Sequence, residues 1–89
     1  MDFNGMNIGE VSYLAGELGS YASRVDAVRG AVDAIVQRTQ ANWAGEDASR
    51  FVSGWQSSRA GLMATAQDMR ALGRWASSKA YSQWRVSSL

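Results

Sequence analysis

The chain has 89 residues, enough for one small domain, and a formal net charge of only +1. It contains no histidine, cysteine or proline, which excludes metal sites built on His or Cys, thiol or histidine-based catalytic triads, and disulfide frameworks. Its longest apolar runs are short, as at residues 34–36, so no segment is expected to span a bilayer. The amino-terminal residues do not combine a basic stretch with an apolar core, so no ordinary secretory signal peptide is expected.

The first half of the chain carries a seven-residue repeat. One column contains Val11, Leu18, Val25, Val32 and Thr39, and a second follows three residues later with Leu14, Tyr21, Val28 and Ile35. The stripe is widened by Ala15, Ala22 and Val36. This spacing predicts an amphipathic helix over about residues 8–41, and the period-2 alternation of a strand is absent.

Residues 42–45 are predicted to reverse the chain, because Gly45 supplies the backbone freedom that a tight turn needs. The acidic residues Glu46 and Asp47 then fall in the first turn of the next helix, where negative charge complements the helix dipole. Neighbouring helical residues point about 100° apart, so these two carboxyls are not expected to act as a catalytic pair. No enzymatic activity and no cofactor are predicted.

The second half repeats the pattern with smaller residues. One column contains Ala48, Trp55, Leu62, Met69 and Ala76, and the other contains Phe51, Ser58, Thr65 and Leu72. This stripe is widened by Val52, Ala66 and Ala80. The pattern predicts a second helix over about residues 46–85.

Two helices of this length joined by a short turn predict an all-α fold, an antiparallel two-helix hairpin that forms a single domain over residues 1–89. The large apolar residues of both repeats are assigned to core or dimer packing. Two helices share one seam and cannot cover both apolar stripes, so two hairpins are expected to pair into a four-helix bundle.

Three aromatic residues near the carboxyl end, Trp75, Tyr81 and Trp84, interleave with basic residues and are candidate contacts with a partner or a membrane. On a helical wheel Trp84 returns to within about 20° of Trp55, which predicts that Trp84 rejoins the buried stripe. Trp75 falls nearly opposite. Nucleic-acid binding is not expected, since the chain lacks a strongly basic face.

Two further pairs of residues are spaced one heptad apart. Asp26 and Asp33, one heptad apart, are expected to be charges beside the apolar stripe. Gly54 and Gly61, also a heptad apart, leave room for the close approach of another helix, although tolerated glycines explain them equally well.

The central sequence Trp43-Ala44-Gly45, followed by the small Ala48 and the aromatic Phe51, lies midway between two heptad helices. In this setting the chain resembles the WXG-motif family of small helical-hairpin proteins, relatives of the early secreted antigenic target of mycobacteria. The resemblance implies export by a type VII (ESX) secretion system without a cleaved signal peptide, and a dimeric, non-catalytic partner or adaptor role for a co-secreted protein. It also implies that Trp43 and Gly45 form part of the export surface.

One departure from the family concerns its export signal, a tyrosine followed four residues later by an acidic residue. Here Tyr81 is followed by Arg85, so the acidic tail is expected to come from a sister protein, which favours a heterodimer over a homodimer. Two alternatives remain open from the sequence. One is a membrane-active helical effector that acts after export, and the other is a cytosolic helical adaptor unrelated to secretion.

Overall fold

The computed structural model describes residues 7–88, with side chains as far as Val86, and contains two helices. Helix α1 spans Ile8–Asn42 and helix α2 spans Glu46–Ser88. They pack side by side in opposite directions and form a rod of 66 × 19 × 14 Å. The predicted helical hairpin is confirmed, and residues 7–88 contain no strand. The predicted domain also includes residues 1–6 and 89, which lie outside the described part.

A side-chain cap marks the start of α1, and an extended backbone marks its end. The side-chain oxygen of Asn7 accepts the backbone N–H of Glu10 at 3.0 Å, which satisfies one of the free donors at the helix start. At the other end, the backbone of Trp43 is extended, with φ −135° and ψ 119°, and stops the helix. The helix ends at Asn42 rather than 41, and α2 continues to Ser88, three residues past the predicted end.

The seam between the helices follows a strict alternation of three- and four-residue steps. In α1 its buried and half-buried positions are Ile8, Val11, Ala15, Leu18, Ala22, Val25, Arg29, Val32, Val36 and Thr39. In α2 they are Ala48, Val52, Trp55, Arg59, Leu62, Ala66, Met69, Gly73, Ala76, Ala80 and Gln83. This spacing is that of an antiparallel coiled coil.

Small residues occupy the most buried positions of the seam. Apart from Val36, every fully buried residue is an alanine or a glycine: Ala15, Ala22, Ala48, Ala66, Gly73 and Ala80. The two backbones come closest where α1 passes Gly73, since a Cβ built there would lie 3.0 Å from the carbonyl oxygen of Ala15. The glycine that admits a neighbouring helix within the hairpin is therefore Gly73.

The structure changes which columns form the seam. The second column of each half was expected to join it, but its large members are exposed: Leu14, Tyr21, Val28, Ile35, Phe51 and Leu72. In five of the six cases the seam position is taken by the smaller residue one position later along the chain, such as Ala15 after Leu14, and in the sixth Arg29 follows Val28. Small side chains are favoured at the seam because they let the helices approach closely and interdigitate.

We expect Gly73→Ala to lower the free energy of unfolding, because the new Cβ would press on the backbone of Ala15. The matched control is Gly30→Ala, whose Cβ would meet nothing within 4 Å. Alanine is favoured over glycine in a helix by about 1 kcal/mol, so this control should be stabilised. Chemical denaturation followed by circular dichroism compares the two, and equal stabilisation by both changes would contradict the close approach.

Candidate functional site

The turn presents an exposed aromatic pair. Gly45 has φ +112°, a conformation that side-chain-bearing residues rarely adopt, and its carbonyl oxygen accepts the N–H of Ser49 at 3.1 Å as α2 begins. Trp43 reaches across the turn to Phe51, with ring centroids 6.0 Å apart and planes tilted by 45°. The Trp43 side chain remains 44% exposed. The turn therefore displays Trp43 at one end of the rod and does not bury it.

The sides of the seam have opposite characters. Asp26 of α1 binds Arg70 of α2 through an Oδ2–Nη2 distance of 2.6 Å, which marks a polar flank. At about 100° per residue, Val28 and Leu72 fall on the other side of the seam from Asp26 and Arg70. We call this side the apolar flank and define it by the six exposed residues Leu14, Tyr21, Val28, Ile35, Phe51 and Leu72.

The apolar flank contains an open groove between the helices. Its lining combines Tyr21 and Val28 of α1 with Leu62 and Met69 of α2, and Arg24 stands at its edge. The Arg24 guanidinium lies 5.6 Å from the centre of the Tyr21 ring, within reach of a cation–π contact. The groove is open to solvent along a single hairpin, and Val28 is 57% exposed. A partner helix could lie against this surface without disturbing the seam.

The polar flank holds a network centred on Asp33. One carboxylate oxygen of Asp33 accepts the indole N–H of Trp55 at 2.8 Å and the Nε–H of Arg59 at 3.0 Å. The Nη1 of Arg29 approaches the other oxygen at 3.5 Å. The hydrogen bond from Trp55, together with the nearby guanidinium groups of Arg59 and Arg29, holds the pKa of Asp33 below its ordinary value against the opposing effect of desolvation.

This network was missed from the sequence, which treated Asp26 and Asp33 only as charges beside the stripe. Both reach across to α2, and Arg29 also lies between them, with its Nη2 3.8 Å from Asp26. The Nε of Arg29 is buried and has no hydrogen-bond partner within the described residues. The sequence carried one signal for this network, since Arg29 and Arg59 place charge at two positions of the heptad repeat that forms the seam.

The carboxyl-terminal aromatics are exposed. Trp75 is 59% exposed, on the side of α2 away from the seam, and the ammonium of Lys79 lies 5.9 Å from its ring centre. The rings of Tyr81 and Trp84 stack at 6.0 Å. The expectation that Trp84 rejoins the buried stripe is wrong, since Trp84 is 54% exposed and Gln83 takes the seam position.

The described residues offer no metal site and no membrane span. They contain no group of three His, Cys, Asp or Glu side chains placed to hold a metal ion. Neither helix, over its described length, is long and apolar enough to cross a membrane. The adjacent acids at the start of α2 are both exposed, and Arg50 pairs with Glu46 at 2.7 Å and approaches Asp47 at 3.9 Å.

Comparison of the chain with known protein families, with curated proteins and with solved structures finds no match. The resemblance to the WXG-motif family therefore stays a prediction from the sequence. What the structure defines is a helical hairpin with an exposed tryptophan at its turn, one apolar flank and one polar flank.

The depressed pKa of Asp33 predicts an acid-sensitive hairpin. Because the folded-state pKa lies below the unfolded-state value, the stabilisation by Asp33 is complete above the unfolded-state pKa and is lost as the pH falls through the folded-state pKa. We therefore expect the free energy of unfolding to decrease as the pH falls below about 4. Denaturation at a series of pH values, at one protein concentration, measures this decrease.

Asp33→Asn should weaken this pH dependence. The control is Asp68→Asn, because Asp68 is exposed and forms no ion pair with any described residue. If Asp33→Asn left the pH profile as steep as in the Asp68→Asn chain, the network would not carry the acid sensitivity.

Proposed function

We propose that this protein is a non-catalytic interaction module, which pairs through its apolar flank with a second helical hairpin to form a four-helix bundle. The observation that carries the proposal is the exposure of six large apolar side chains on one side of a seam that is itself complete. Large apolar side chains gathered on one exposed side are typical of a protein interface. Four-helix bundles bury such stripes between facing helices.

The small residues in the middle of the apolar flank support pairing with a helix. Its middle on α2 consists of small residues, Ser58 and Thr65, beside Gly54 and Gly61. A Cβ built on either glycine would meet nothing within 4 Å in the single hairpin, so space exists there for another chain. The ridge formed by Tyr21, Val28 and Ile35 on α1 would pack beside that chain, as ridges pack into grooves between helices.

The second part of the proposal concerns the export of the protein from the cell. We propose that it is a substrate of a type VII (ESX) secretion system, made in the cytoplasm and exported as the partner or adaptor of a co-secreted protein. The support is the resemblance carried by Trp43 and Gly45, together with the exposure of Trp43 at the end of the rod. Because Arg85 stands where the family has an acidic residue, a sister protein with an acidic tail is the preferred partner over a second copy.

We expect Val28→Asp to weaken pairing by at least about tenfold, because an unpaired carboxylate would be buried between the two hairpins. Val28 is exposed in the single hairpin, so helicity should be retained. The control is Ala34→Asp, at an exposed α1 position opposite the seam. Sedimentation equilibrium, with the chain alone and with a candidate sister protein, measures association. Equal effects of the two changes would contradict the assignment of the apolar flank as the interface.

For export, we expect Trp43→Ala to reduce the amount of protein outside cells that possess a type VII system, with little change in helicity or thermal stability. Trp43 contacts Phe51 at the turn and lies outside the seam, so its loss removes little packing. Trp75→Ala is the matched control, a change of the same size at an exposed site far from the turn. Immunoblots of culture medium and cell pellet compare the variants.

Two outcomes would count against the export proposal. If the unchanged protein stayed inside the cells, or if disabling the secretion system left export intact, the chain would be a cytosolic adaptor or use another route. If Trp43→Ala unfolded the hairpin, Trp43 would be a structural residue first.

A further inference from the structure

The carboxyl end of α2 extends beyond α1. The contact between Gly73 and Ala15 sets the register, which places residue 80 level with Ile8, the first residue of α1. Residues 81–88 therefore continue for about 12 Å with no described residue of α1 opposite them. The last two turns of α2 thus lie beyond the first residue of α1.

This end of α2 is basic. Between residues 70 and 88 the chain has four basic residues, Arg70, Arg74, Lys79 and Arg85, and no acidic residue. Arg70 is held by Asp26 across the seam. The other three form no ion pair with the described residues. No carboxylate in the described part of the chain therefore competes for Arg74, Lys79 or Arg85.

Aromatic and basic residues share the outer face of α2. At about 100° per residue, Arg74, Tyr81 and Arg85 fall within about 40° of one another on the side away from the seam, and Trp75 lies about 80° from Arg85. Trp75 and Tyr81 are both 59% exposed. The surface thus interleaves basic side chains with exposed aromatic rings.

We propose that this outer surface of α2, from Arg74 to Val86, binds the headgroup layer of a membrane that contains anionic lipids. Arginine and lysine are attracted to anionic headgroups, and tryptophan and tyrosine favour the interfacial region where their rings meet apolar chains and their polar atoms meet water. The rod would lie on the surface, because neither helix can cross a membrane over its described length.

The arrangement favours a lipid surface over an acidic protein. Protein interfaces typically have an apolar centre and a polar rim, whereas here the bases and the aromatic rings alternate over one face. A soft headgroup layer can receive two aromatic residues set about 120° apart around a helix, while surrounding the bases with phosphates. The seam faces away, so binding requires no opening of the hairpin. This inference goes beyond the proposed pairing, which uses the apolar flank.

The test is co-flotation of the full chain with vesicles of phosphatidylcholine alone and of phosphatidylcholine mixed with phosphatidylglycerol. We expect binding only to the mixed vesicles, and weakening as the salt concentration rises. The double variant Arg74→Gln/Arg85→Gln should bind about tenfold more weakly. The control Arg24→Gln/Arg38→Gln removes the same charge from exposed positions of α1 and should change binding less than about twofold.

A second pair of measurements separates lipid from any other polyanion. The variant Trp75→Ala/Tyr81→Ala, whose helicity is checked by circular dichroism, should bind the mixed vesicles more weakly and bind poly-glutamate as well as the unchanged chain does. Equal loss on both ligands, or equal binding to neutral and anionic vesicles, would overturn the proposal. Release of a trapped dye from the vesicles would also overturn it, because a rod lying on the headgroups leaves the bilayer intact.

Discussion

The close approach of two helices through small side chains is the constraint on which the rest of this hairpin depends. Where α1 passes Gly73 a Cβ would lie only 3.0 Å from the carbonyl oxygen of Ala15, and the most buried positions elsewhere are mainly alanines. Buried apolar area contributes about 25 cal/mol per Å², and an alanine removes far less area from water than a leucine. The hairpin thus gains close packing and modest hydrophobic stabilisation, and the six large apolar side chains of the apolar flank stay exposed.

Charge supplies the specificity that small side chains do not. The alanine positions of the seam recur at heptad spacing, so the alanines alone do not fix the register of the two helices. The bonds from Asp33 to Trp55 and Arg59, and from Asp26 to Arg70, exist only in one register. A slip would separate Arg59 and Arg70 from their carboxylates on α1, whereas Arg29 would keep Asp26 and Asp33, which lie on its own helix.

The sequence predicted the helices and the turn because heptad spacing, the lack of proline and a single well-placed glycine all agree. It did not predict the composition of the seam, because Leu14 and Ala15 both belong to the apolar stripe and differ mainly in size. Pattern analysis favours the more hydrophobic residue, whereas close packing favours the smaller one. The exposure of Trp84 has a similar cause. Counting 3.6 residues per turn from Trp55 returns to Trp84, but the 3.5-residue period of a coiled coil returns to Gln83 after four heptads.

The single turn at Gly45 also bears on the order in which the contacts between the helices form during folding. Contacts between the helices span a short loop of chain near the turn and a progressively longer one toward the other end, from Asp33 with Trp55 to Ala15 with Gly73. The entropy lost on closing a loop grows with its length, so the helices zip together from the turn outward. Opening runs the other way. We expect the end that carries Trp75 and Tyr81 to separate first, with faster amide exchange there than beside Trp55.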